Sequence, residues 1–241
     1  MADPLALAQQ HMSAQVRRAA RTQAALAVAF GRTMDPSNLD RSFVDFSRYA
    51  LPLIGASRAD GIAIGDRYYL DAKTQAGLTG ELPVAEIPSM DLARMTLDLQ
   101  VNGPVKVKAA LTRGEQLERG LLVAQAATLG VAKRLILEAP RQRLISLSEN
   151  DKTARGWARV SDGSPCAFCA MLVSRGPVYS EGGGYFQAHN GCGCSLRPVF
   201  RGDKTGGWSP QAREYQKLWR EHGGDAKDLA DFRHALANPA G

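Results

Sequence analysis

Apolar residues recur at helical spacing through most of the first 150 positions. From Leu5 to Phe30 they fall at Leu5, Met12, Val16, Ala19, Leu26 and Phe30, with Arg17 and Arg21 on another face. This predicts one long helix, with Gly31 placed to close it in the left-handed conformation. The stretch "MDPSNLD" then restarts the pattern, Asp35 standing as a cap and Pro36 at the first helical position. Leu39, Phe43, Phe46 and Ala50 follow at helical intervals, and beyond Pro52 a further helix is expected to carry Ile62, Tyr69 and Ala76. "GELPVAEIPS" reads as a proline-bearing connector. A short helix is expected over 92–101, stopped by Asn102, Gly103 and Pro104. The strongest helical pattern, 115–138, aligns Leu117, Leu121, Ala124, Thr128, Ala132 and Leu135, and Pro140 is expected to end it. Residues 141–150 read as a shorter helix.

At Trp157 the texture changes. "WARVSDG" alternates like a strand entering a turn, and glycines gather through Gly184, Gly191 and Gly193. Helical pattern returns over 210–221 and 226–237. No internal repeat or low-complexity tract is visible.

Composition narrows this picture only a little. The chain has 241 residues, 44% of them hydrophobic and 22% charged, which suits a globular protein with a real core. A formal net charge of +6 favours polyanions without requiring them. The N-terminal stretch lacks a basic segment followed by an apolar one, so no signal peptide is expected. The uncharged run Leu121 to Ala132 is too short to span a bilayer. A soluble chain made in a cytoplasm, with no membrane partner, is therefore expected.

All four cysteines lie between Ser164 and Phe200, as Cys166-x-x-Cys169 and Cys192-x-Cys194, with His189 completing HxxCxC. Two short chelating turns joined by a loop are what a tetrahedral zinc site needs, because each turn brings two soft donors to one side of the ion. Gly193 lets both flanking sulfurs reach inward. Five donors compete for four positions, and spacing alone does not choose among His189, Cys192 and Cys194. Cross-paired disulfides, a redox CxxC and unrelated buried thiols are the competing uses. Catalytic zinc is disfavoured. "PCAFC" matches half of the deaminase signature, but His11 is followed by Met12 and Ser13, so no glutamate is placed to shuttle protons. Neither H-E-x-x-H nor G-x-S-x-G occurs, and "GDKTGG" (Gly202 to Gly207) lacks the spacing of a phosphate loop.

The fold class expected is mainly α: a long-helix body over 1–150, a small α+β zinc-stapled module over 151–205, and a helical C-terminal tail over 206–241. The zinc would be structural, holding a glycine-rich stretch with little core of its own. Arg155, Arg159, Arg175, Arg197 and Arg201 surround the cysteines and are candidates for weak, non-specific phosphate contact.

Asp162, Gly163, Cys166, Cys169, His189, Cys192, Cys194 and Pro198, in that order, resemble the Mu F-type head morphogenesis (minor capsid) proteins of tailed bacteriophages, especially those of actinobacterial phages. "DRYYLDAK" (Asp66 to Lys73) and "DLADFRHAL" (Asp228 to Leu236) are similar in texture. Gly193 departs from the basic or histidine residue common there, which weakens any role for that position in DNA contact. The resemblance implies a virion component inside the head near the portal, acting in assembly or in DNA packaging and ejection. Portal and other capsid proteins would be its partners, with packaged DNA touched non-specifically, and no catalysis is implied. Two other functions compete: a capsid maturation protease, for which His189 is the one histidine in an interesting setting, and a nucleic-acid-binding zinc protein.

Overall fold

The structure is a computed structural model and describes residues 4–161, 163, 165–177, 186–223 and 229–238. The chain is mainly helical. Five helices come first: α1 (Pro4–Thr33), α2 (Leu39–Gln75), α3 (Leu92–Asn102), α4 (Pro104–Thr112) and α5 (Leu117–Asn150). Strand β1 (Ala154–Val160), helix α6 (Ala167–Ser174) and strand β2 (Ser195–Phe200) carry the cysteines between them, and α7 (Pro210–His222) and α8 (Leu229–Ala237) follow. The expected helix start at 226 and the residues Asp162, Gly184 and Asp228 lie outside the described residues.

Several boundaries differ from the local signals. Gly31 is inside α1 and is not left-handed. Asp35 organises a turn by accepting from the Ser37 amide at 2.9 Å, and Asn38 is the cap of α2, accepting from the Arg41 amide. Pro52 and Pro140 both lie inside continuous helices. Asn102 does end α3, but Pro104 opens α4, a helix the sequence reading ran past. Tertiary packing explains Pro140. Its ring and Gln15 both close on Gly61, where an added Cβ would come within 3.3 Å and 3.1 Å of them respectively. One turn earlier, the buried Arg58 guanidinium donates to Leu135 O at 2.5 Å. Packing against neighbouring helices thus supports a helix whose own ladder the proline interrupts at Ile136 O.

The first core is apolar. Leu26 and Phe30 of α1, Phe43, Phe46 and Ile54 of α2, Leu99 of α3, Val107 of α4 and Leu135 of α5 are buried together. Complete burial of such a side chain stabilises by roughly 1.5–3 kcal/mol. Among the described residues one helix, α5, is long and apolar enough to cross a membrane. Here it is the axis of the body: Val131, Leu135 and Ile136 are in the core, and its buried Arg143 pairs with Asp66 at 2.7 Å.

A second core joins the body to the cysteine segment. Met12, Tyr69, Leu144 and Leu147 pack with Trp157, Cys169, Cys192, Cys194, Leu196 and Phe200. Strands β1 and β2 pair antiparallel, Trp157 opposite Pro198 and Val160 opposite Ser195. Proline is tolerated because a two-stranded sheet leaves one edge of each strand unpaired. The same tripeptide, Asp-Lys-Thr, turns the chain twice at one end of this ribbon, just before β1 and just after β2. Asp151 accepts from the Thr153 amide and Asp203 from the Thr205 amide, each at 2.8 Å. "GDKTGG" is therefore a turn folded on its own aspartate. A third cluster packs α6 against the tail through Ala170, Val173, Tyr215 and Phe232.

Candidate metal centre

Cys166 is the N-cap of α6 and Cys169 lies one turn inside it, so the CxxC wraps a helix start whose free amides favour anionic sulfur. The second half comes from the loop entering β2. Gly191 takes φ +82°, a left-handed value suited to glycine, and its amide donates to Gly130 O of α5 at 2.9 Å. Gly130 lies directly against this turn, a Cβ there being at van der Waals distance, 3.5 Å, from Asn190 Cβ. Arg134 adds a bond to Asn190 Oδ1 at 2.9 Å. Helix α5 therefore fixes the HxxCxC turn against the CxxC helix.

All five donors converge. His189 Nε2 lies 3.1 Å from Cys166 Sγ and 3.4 Å from Cys169 Sγ, and Cys169 Sγ lies 3.7 Å from Cys192 Sγ. Cys166, Cys169 and His189 form one triad with all donor atoms within 4.8 Å of one another; Cys169, Cys192 and Cys194 form a second. Cys169 belongs to both. The first triad faces solvent through Cys166 and His189, while the second is buried throughout. No pair is close enough to be a disulfide, and all four cysteines are free.

These spacings suit zinc. Zinc–sulfur bonds of about 2.3 Å at tetrahedral angles require sulfur atoms about 3.7–3.8 Å apart, and a nitrogen ligand sits slightly closer. The imidazole is oriented for ligation, with Nδ1 2.8 Å from Asn190 O and Nε2 turned to the sulfurs. One nitrogen facing two sulfurs, with a second thiol pair behind, is the geometry of a chelate. A Cys166–His189 nucleophile pair would leave Cys169 at 3.4 Å from the same nitrogen without a role.

Two residues absent from the sequence-based site complete it. Arg141 follows Pro140 on α5 and donates through Nε to Cys194 O and through Nη2 to Cys192 O, both at 2.9 Å. Phe186 lies beneath, with the Arg159 guanidinium 3.8 Å and the Arg141 guanidinium 4.7 Å from its ring centroid. The Cys192 thiol is held far below the ordinary thiol range, chiefly by the hydrogen bond from Cys169, then by that from Cys194, with Arg141 adding charge against the effect of burial. Cys169 is pushed up by its own hydrogen bonds to Cys192 and then Cys194, and by burial.

The arginines grouped as phosphate contacts separate into two sets. Arg159 is buried and turned inward, and Arg197 is buried and paired with Asp203 at 3.1 Å and with Thr205. Neither presents its head to a phosphate, which corrects the expectation for both. Arg155, Arg175 and Arg201 are exposed.

Fold and site define a long-helix protein carrying a compact Cys/His centre that can hold a metal ion such as zinc. The chain belongs to the VG15 protein family, whose profile matches residues 91–222, more than half of its length and all five donors. It is also similar to the Gene 15 protein of Mycobacterium phage D29, 30% identical over 156 residues that cover 48% of this chain and 56% of that protein. The match thus spans little more than half of the curated relative's length. No solved structure matches the chain.

Proposed function

We propose that this chain is a minor capsid or head morphogenesis protein of a tailed phage, acting structurally inside the head near the portal, in assembly or in DNA packaging and ejection. The observation that carries this reading is the convergence of CxxC and HxxCxC into one centre, the arrangement that resembles Mu F-type head proteins. Membership of the VG15 family and similarity to a mycobacteriophage protein support a phage setting. One structural zinc is held by four of the five donors Cys166, Cys169, His189, Cys192 and Cys194. The protein binds rather than catalyses, because its one well-placed histidine is committed to sulfur. Its partners are the portal and neighbouring capsid proteins, and any contact with packaged DNA is non-specific.

The test is mass spectrometry of purified proheads and virions produced from the genome that encodes this chain. The expected result is intact protein at low copy in both particles. Self-cleavage products that vanish on Cys166→Ala would favour the maturation protease. Absence from both particles would favour a nucleic-acid-binding regulator.

A further inference from the structure

The buried side of the metal centre holds a charge problem. Arg141 and Arg159 are each only 4% exposed. An isolated buried guanidinium is strongly disfavoured unless a negative charge offsets it. Among the described residues neither forms an ion pair with a carboxylate; their bonds go to backbone carbonyls and to sulfur. Arg141 Nη2 lies 3.9 Å from Cys192 Sγ, and Arg159 Nη1 lies 3.9 Å from Cys169 Sγ. Arg159 also donates to Gln187 O, and both guanidiniums lie over the Phe186 ring. Arg141 Nη1 and Arg159 Nε have no hydrogen-bond partner, so hydrogen bonding alone does not compensate this burial.

The centre has the opposite imbalance. A zinc ion with three thiolates and an imidazole carries a net charge of about −1, and with four thiolates about −2. On the solvent side, water screens Cys166 and His189. On the inner side, among the described residues, the two guanidiniums are the full charges that do so. We propose that Arg141 and Arg159 are the built-in counter-ions of the metal–thiolate centre, positioning residues that raise metal affinity through their charge. Phe186 holds both planes in place by its ring face. The inference rests on the zinc reading above, and its test separates the two.

The experiment measures Zn2+ affinity of the full chain by competition with a chromophoric chelator at fixed pH and ionic strength. R141Q and R159Q keep a polar side chain and lose the charge; R141K and R159K keep the charge and lose the planar fork. Each Gln variant is expected to bind zinc about ten- to a hundredfold more weakly, the range for residues one shell beyond the ligands. Each Lys variant is expected to recover most of that loss. Cobalt substitution gives a second readout: unchanged visible bands in all four variants would show the same donors at work. Equal losses for Gln and Lys would overturn the proposal, because bonding geometry rather than charge would then matter. Unchanged affinity in the Gln variants would overturn it as well. Should the Gln variants fail to fold, folded and zinc-loaded Lys variants remain the expected result, and their failure too would count against it. A wild-type chain that binds no zinc would instead remove the reading beneath.

Discussion

Around Leu26, Phe46 and Leu135 the body closes by apolar contact, and each of these side chains is fully buried. Around Cys169 the interior is different: three buried thiols and two buried guanidiniums occupy positions that Leu or Val fill elsewhere. The two regions share the ends of α1, α2 and α5, so they are not separate bodies. The body's contacts lose only dispersion and hydrophobic energy when one atom is removed. The cysteine segment's contacts are charged and mutually dependent, so one deletion leaves an uncompensated group behind.

The largest effect should come from the metal. Protein purified under reducing conditions should contain about one zinc per chain, and chelation or Cys169→Ser should loosen the β1–α6–β2 region while the long helices persist. Near-ultraviolet circular dichroism reports on packed aromatic side chains, Trp157 among them, and far-ultraviolet on the helices. Simultaneous loss of both signals would erase the distinction between the regions, and metal-free protein with four free thiols and unchanged melting would remove the zinc.

Within the body, Leu135→Ala should cost about 2–5 kcal/mol, as expected for a wholly buried leucine. Leu121, placed on the same face by the sequence, is only half-buried. Leu121→Ala should cost less, about 1 kcal/mol. Denaturant midpoints decide this, and equal costs would mean that Leu121 is covered in solution by something further.

A pH effect of similar size is expected where the two regions join. His11 stacks on Tyr68 with ring centroids 4.1 Å apart, neither ring nitrogen has a partner, and burial pushes its pKa down from 6.5 to about 4. Between those values the unfolded chain takes up the proton that the folded chain refuses. Stability is therefore complete above about pH 6.5 and falls as the pH drops toward 4, by about 3 kcal/mol in total. His11→Phe keeps the stacking and should flatten that acid limb; a variant as acid-sensitive as wild type would refute the assignment.

The smallest effect concerns the surface. Arg175 and Arg201 are exposed, so replacing both should weaken DNA binding equally for two unrelated duplexes and flatten its salt dependence by about two units of slope. Strong discrimination between the duplexes in a salt titration would favour sequence-specific recognition.

Periodicity made the helical class and most helices legible, because a buried helix face imposes a repeating pattern on its own residues. The five donors were legible too, since chelation requires closely spaced soft ligands. What the chain concealed depends on residues distant in sequence. Pro140 looks like a stop because the proline rule is local, whereas close packing on Gly61 beside Gln15 is what holds α5 there. Nothing local in the sequence marks Arg141, because its place beside Cys192 depends on α5 continuing past Pro140. Helix α6 went unnoticed because it is only eight residues long and nearly all apolar, without a polar face to mark its period. The paired Asp-Lys-Thr turns are a signal visible in the sequence itself.

Val160 and Ser195 sit opposite each other as the last rung of the ribbon. All five metal donors lie between them along the chain, so the segment that carries the centre starts and ends at adjacent points of the ribbon. Residues can be gained or lost between the CxxC and the HxxCxC at little entropic penalty, because loop closure grows only slowly with length. Trp157 and Leu196 need not shift in response. Divergence among relatives should therefore concentrate in the length of that excursion, while its two entry strands keep their register.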